Sequence, residues 1–191
     1  MDNYEMEPSD MMMASEKINS VLLNNHINFL VGEINEHSAS EIIKWIIYEN
    51  TINEPDKILT LYINSDGGSL SDALALIDIM RTSNYPIKTV GIGSIISAAF
   101  LIFSCGTKGM RVIAKNSSIM CHQYSGNIGG KQHDMQAIIK EIDLTNTRIV
   151  NILKDVSNLS VKMVNIKLLP PSDVWMTPEE LVECGIADII S

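Results

Sequence analysis

Gly91-Ile-Gly-Ser-Ile-Ile-Ser97-Ala-Ala-Phe-Leu-Ile-Phe103 reads as buried core interrupted by one central hydroxyl, that of Ser97. The segment before it, Ile87 to Ile92, has the apolar run of a buried strand, and Ser97 stands where a helix ending near Gly106 begins. A strand running into a helix is the repeating unit of an α/β layer. The same junction holds what a nucleophilic serine requires. Small Ala98 and Ala99 follow it, Gly93 precedes it, and His122-Gln123 comes 25 residues later. A small residue tolerated in a packed helix fits this segment equally well.

Working outward, Ile58-Leu-Thr-Leu-Tyr-Ile63 reads as a buried strand that ends in the turn Asn64-Ser-Asp-Gly-Gly68. A helix from about Ser71 to Arg81 follows, apolar nearly all round and so expected to be buried. Upstream, Ile27 to Ile34 has a strand pattern, and Ser38-Ala-Ser-Glu41 reads as a capping box opening a helix with Ile42, Ile43, Ile46 and Ile47 on one face. Residues 1–18 are polar without a sustained period and read as a flexible arm; residues 19–191 read as a single domain.

Downstream, Val112-Ile113 and Ile119-Met-Cys121 read as short strands, and Gly126 to Gly130 as a flexible connection. A long helix is expected from about Asp134 to Val156, with Met135, Ile138, Ile139, Ile142 and Ile149 at helical spacing. Ser160 caps a short helix before Pro170-Pro171, and Thr177-Pro-Glu-Glu180 opens another that Gly185 closes. Ile186 to Ile190 is a last short strand. Alternating strands and helices with no internal repeat give one α/β layered domain.

Composition narrows the function. The chain has 191 residues, 46% hydrophobic and 19% charged, with a net charge of −9 and no Lys/Arg cluster. That balance describes a globular protein and argues against nucleic acid or anionic membrane as a partner. Cys105, Cys121 and Cys184 are scattered and odd in number, as buried thiols of a reducing compartment are. The acidic N-terminus is no secretory signal, and Val90 to Phe103 is too short to span a bilayer, so a soluble, cytoplasmic protein is expected.

Among the four histidines, His122 follows an apolar strand directly, and strand exits are where α/β folds place reactive groups; a structural histidine there is as common. Gly67-Gly68 is a strand-to-helix turn able to present backbone N–H groups to a developing negative charge, or simply a turn needing glycine. No Gly-x-Ser-x-Gly elbow and no phosphate-binding glycine pattern occurs. For a third, acidic member, Asp173, Asp134 and Asp188 remain rivals on spacing alone.

Taken in order, these motifs resemble the proteolytic subunits of the Clp protease family, self-compartmentalised serine peptidases. Leu61-Tyr-Ile-Asn-Ser-Asp-Gly-Gly68 is similar to the family's Tyr-Ile-Asn-Ser-Pro-Gly-Gly turn, and Gly93-Ser-Ile-Ile-Ser97-Ala-Ala-Phe-Leu to its nucleophile segment. Gly106-Thr-Lys-Gly109, Arg111 and Asn116-Ser-Ser-Ile-Met-Cys-His122-Gln follow at the family's spacing. Asp173-Val-Trp-Met-Thr and Glu179-Glu-Leu-Val-Glu-Cys-Gly-Ile-Ala-Asp188 resemble its acid and closing helix. The resemblance runs from about Ile27 to the C-terminus.

What the resemblance implies is specific. The fold would be the crotonase-like α/β fold of repeated ββα units, with a handle helix for ring–ring contact. Ser97 would be the nucleophile, His122 the base and Asp173 the acid, with an oxyanion hole of the Gly68 and Ala98 backbone N–H groups. Substrate peptide would lie extended beside Ser69-Leu70 and Tyr124-Ser125-Gly126. The family implies two stacked heptameric rings fed with unfolded polypeptide by an AAA+ ATPase, no metal and no cofactor, ATP being used only by the unfoldase. Asp66, Asp72, Ala73, Ile95, Ile96, Thr60 and Ser172 depart from its pattern, Thr60 where an ATPase-docking aromatic stands and Ser172 where an inter-ring Arg often stands; Tyr62 is kept. Those departures fit a non-catalytic ring subunit as an alternative; an acyl-CoA enzyme of the crotonase fold is a more distant one.

Overall fold

The computed structural model describes residues 8–125 and 129–191, the side chains of residues 8–12 aside. Seven helices and seven strands form one mixed α/β layer, in the order α1 (Pro8–Asn24), β1 (Ile27–Val31), α2 (Glu36–Thr51), β2 (Leu59–Ser65), α3 (Leu70–Arg81), β3 (Ile87–Ile96) and α4 (Ala98–Ser104). They continue with β4 (Arg111–Ile113), β5 (Ser118–Cys121), α5 (Gln132–Val156), α6 (Val161–Lys167), β6 (Val174–Met176), α7 (Pro178–Glu183) and β7 (Ile189–Ile190).

The sheet follows β1-β2-β3-β4-β7, all parallel, and branches at β3. The branch has a local cause. The first half of β3 pairs with β4 (Thr89↔Arg111 to Gly91↔Ile113), and its second half pairs with β5 (Ser94↔Ser118 to Ile96↔Met120). Between the halves the β2–β3 register slips, from Ile63↔Gly91 to Ser65↔Ile95. Gly93 sits in that slip at φ +61°, and the Asn64 Oδ1 accepts the Ser94 N–H at 2.9 Å. A Cβ on Gly93 would lie 2.5 Å from that Oδ1, so only glycine lets the strand turn there. The strand therefore continues past Ile92 to Ile96 and delivers Ser97 from its second half.

Packing follows the sequence pattern with some corrections. β2 alternates strictly, with Leu59, Leu61, Ile63 and Ser65 buried. All seven residues of α4 are buried, which explains its unbroken apolar run. α3 is buried on one face only (Ala73, Leu76, Ile77, Met80), while Ser71, Ala75 and Asp78 face outward. α2 starts earlier than the serine motif suggests: Asn35 is the cap and Ser38 its partner in the capping box, three residues before Ser38-Glu41 would place it. Its buried stripe is Ala39, Ile42, Trp45, Ile46 and Glu49, and Ile47 is exposed. Ser160 and the Thr177/Glu180 capping box open α6 and α7 as expected.

Two elements are additions. α1 starts inside the stretch 1–18 read as a flexible arm and runs past its end to Asn24, with Pro8 at the first position, where a missing N–H costs nothing. Residues 1–7 of that arm lie outside the described residues. Val174–Met176, adjoining the proline turn, forms an antiparallel strand on β5. Among the described residues, no helix is long and apolar enough to cross a membrane.

Candidate active site

Ser97 and His122 meet because their strands are neighbours. β3 and β5 run parallel with Ile96 opposite Met120, so the residues leaving the two strands emerge side by side at their C-terminal ends. The Ser97 N–H donates to the Met120 carbonyl at 2.9 Å, which locks the junction. Ser97 Oγ then lies 2.8 Å from His122 Nε2. For the imidazole to accept the hydroxyl proton, Nε2 must be the unprotonated nitrogen, which leaves the proton on Nδ1.

Ser97 sits at φ +58° and ψ −120°. A non-glycine residue there carries local strain, on the order of 1–3 kcal/mol, held by the surrounding structure. No side-chain cap bond to α4 consumes its hydroxyl. Room for this turn comes from Gly67: a Cβ there would stand 2.8 Å from the Ser97 Cβ and 3.1 Å from the Ala98 nitrogen.

Backbone donors converge on the same spot. In the Gly67-Gly68 turn the Gly67 N–H is taken by the Ser65 Oγ (3.1 Å) and the Ser69 N–H by the Ile34 carbonyl (2.7 Å). The N–H groups of Gly68 and Ala98 have no acceptor among the described residues, and Ala98 is the first residue of α4, whose N–H groups have no partner within the helix. Both residues line a cavity of about 540 Å³ that also includes Ser97 and His122. Such donors can stabilise an alkoxide formed next to the serine.

The cavity is also lined by Ser69, Leu70, Tyr124 and Ser125. Gly126 lies outside the described residues. The sequence reading missed Leu74, Leu101, Cys121 and Gln123, and from α5 Glu141, Thr145, Arg148 and Ile149, all of which line it. The long helix and its Ile149 were legible, but the cavity that Glu141, Thr145 and Arg148 face forms only when α5 folds back over α4. Cys121, next to His122, is no rival nucleophile: burial pushes its thiol up to about 12, so it stays protonated at neutral pH.

Asp173 is brought near by pairing but not into contact. β6 runs antiparallel to β5, and its last pair is Cys121↔Val174, so one further step sets Asp173 opposite His122. Its side chain is exposed, and no hydrogen bond or ion pair joins it to His122. The rival acids are elsewhere. Asp134 pairs with His133 on the surface, and Asp188 is held by Arg111.

Among the described residues, no group of three His, Cys, Asp or Glu side chains is arranged to hold a metal ion. The serine–imidazole pair, the free N–H groups and the cavity stand on a parallel-rich sheet that branches at the strand leading to Ser97. The family model of the Clp protease matches residues 10–191, from within α1 to the last residue, farther toward the N-terminus than the motifs alone reach. On that match over nearly its whole length, the chain belongs to the Clp protease family.

Proposed function

We propose that this chain is a serine endopeptidase subunit that cleaves unfolded polypeptides inside a closed ring assembly. The observation that carries the reading is the 2.8 Å contact of Ser97 Oγ with His122 Nε2, made at a strained turn beside two uncommitted N–H groups. Ser97 Oγ attacks the scissile carbonyl as His122 Nε2 takes its proton. The oxyanion is held by the Gly68 and Ala98 N–H groups, each such donor being worth about 3–4 kcal/mol of barrier. The imidazolium passes its proton to the leaving amine, and water then hydrolyses the acyl-serine by the same route in reverse. Asp173 accepts from His122 Nδ1 and stabilises the cation once its side chain turns inward across the β5–β6 pair.

Membership in the family supports ring assembly and work with a Clp ATPase in general. Two heptameric rings, with the first half of α5 as the handle between them, and an AAA+ unfoldase as feeder complete the proposal. The stack of exposed Phe29 on half-buried Tyr62, centroids 5.1 Å apart, supports a docking surface on the β1–β2 face despite Thr60.

Ser97→Ala is expected to abolish both hydrolysis of short peptides and labelling by a fluorophosphonate. Labelling that persists in this variant removes Ser97 from the mechanism. The unjoined Asp173 supports a second reading, a ring subunit without activity of its own. Rings of wild-type chain that neither label nor cleave would select it.

A further inference from the structure

The cavity beside Ser97 has two chemistries. Leu70, Leu74, Leu101 and Ile149 give it apolar walls. Glu141, Thr145 and Arg148 of α5 add a polar one, and the catalytic roles above use none of the three. They form one network along a single helix face. Arg148 Nη1 donates to Glu141 Oε1 at 2.8 Å and to Thr145 Oγ1 at 3.2 Å, and the Thr145 hydroxyl donates to Glu141 Oε1 at 3.2 Å.

Thr145 is buried, whereas the Arg148 and Glu141 side chains are 50% and 60% exposed, so water reaches the outer part of the network. Among the described residues, Nε and Nη2 of Arg148 have no acceptor. The hydrogen bond from Arg148 holds the Glu141 carboxyl below its ordinary range, so both members are charged at neutral pH.

A side chain entering this cavity displaces water from charged groups. One that is apolar throughout removes hydration and returns nothing. One with an apolar body and a polar tip packs on the leucines and replaces the lost water with a hydrogen bond. We infer that Glu141, Thr145 and Arg148 make the site select, in the residue preceding the scissile bond, an apolar side chain with a hydrogen-bonding tip, tyrosine over phenylalanine. The inference rests on the peptidase reading. The phenol donates to Glu141 or accepts from Arg148, and a cavity of about 540 Å³ has room for the ring.

Two fluorogenic peptides that differ only in Tyr or Phe before the scissile bond test it. A hydrogen bond to a half-exposed charged group predicts about a tenfold higher kcat/KM for the tyrosine peptide. Arg148→Met and the isosteric Glu141→Gln are expected to bring the ratio toward one, with fluorophosphonate labelling of Ser97 in each variant reporting that the site is still assembled. A wild-type ratio near one, or a tenfold ratio kept by labelled Glu141→Gln and Arg148→Met alike, overturns the inference and leaves the peptidase reading standing. A wild-type chain that neither labels nor cleaves overturns both.

Discussion

Ser97 gains its geometry from residues that the proposed mechanism does not use. Ser97 is held at φ +58° by the Met120 carbonyl on one side and by the bare Cα of Gly67 on the other. His122 has one nitrogen on that hydroxyl, and the β5–β6 register sets Asp173 opposite His122 along the strand pair without a side-chain contact. This separates two roles for Asp173. If it fixes the imidazole tautomer during turnover, Asp173→Asn lowers kcat by about 10³–10⁴-fold, because the amide favours the wrong tautomer. Peptide hydrolysis by the purified variant measures this. A variant with wild-type turnover removes Asp173 from the mechanism and leaves a serine–histidine dyad. The serine was legible in the sequence as a lone hydroxyl among small residues in an apolar run, and the histidine because it directly follows an apolar strand. The positive φ of Ser97 was not, since the residue that makes room for it lies thirty positions away in another turn.

At the scale of elements, the bent third strand matters most. β3 serves two neighbours in succession, β4 with its first half and β5 with its second, and the change of partner occurs at Gly93. The strand was legible from Ile87 to Ile92. Its continuation was not, because Gly93-Ser94 looks like an ending when the partner that keeps it paired, β5, lies more than twenty residues downstream. The helix caps show the same division. Thr177 and Glu180 form the box their spacing suggests, whereas α2 begins on Asn35, because Ser38 donates back to the Glu33 carbonyl and fills the N3 place in its own box. α1 escaped because its apolar residues Met13, Ile18, Val21 and Leu23 are exposed, so no buried stripe marks it. For β3 the expected outcome is concrete. Gly93→Ala puts a Cβ 2.5 Å from Asn64 Oδ1 at a φ that favours glycine, and is expected to destabilise the fold by about 1–3 kcal/mol. Because the bend aims the second half of β3, fluorophosphonate labelling of Ser97 should fall more than the loss of folded protein accounts for. Labelling that follows the folded fraction alone would show that the bend does not aim the serine.

Across the whole molecule, one buried ion pair ties together parts that the sheet alone does not hold. Arg111, on β4, is 1% exposed, and its Nη2 meets Asp188 Oδ1 at 2.6 Å while its Nε donates to Oδ2 at 2.8 Å. The Gly109 and Arg111 N–H groups donate to the same Oδ2, and Arg111 Nη1 reaches the Val156 carbonyl at the end of α5. The Arg111–Asp188 pair thus joins β4, the segment leading into β7, and the foot of the long helix. Burial works against the ionised carboxyl, but the Arg111 side-chain and backbone hydrogen bonds, its charge and the Gly109 N–H outweigh it and hold the Asp188 carboxyl below the ordinary carboxylate range. A carboxyl whose pKa falls on folding binds fewer protons in the native state. Its contribution is therefore complete above about pH 4 and is lost as the pH falls through the folded value. Asp188→Asn leaves the buried guanidinium without its counter-charge and is expected to cost about 3 kcal/mol at neutral pH. Urea midpoints of wild type and variant, taken at steps from pH 7 to pH 2, measure the difference. The gap should hold constant down to about pH 4 and close below it, as protonation of the wild-type carboxyl removes what the substitution already lacks. A gap still open at pH 2 would place the stabilisation in packing rather than in charge.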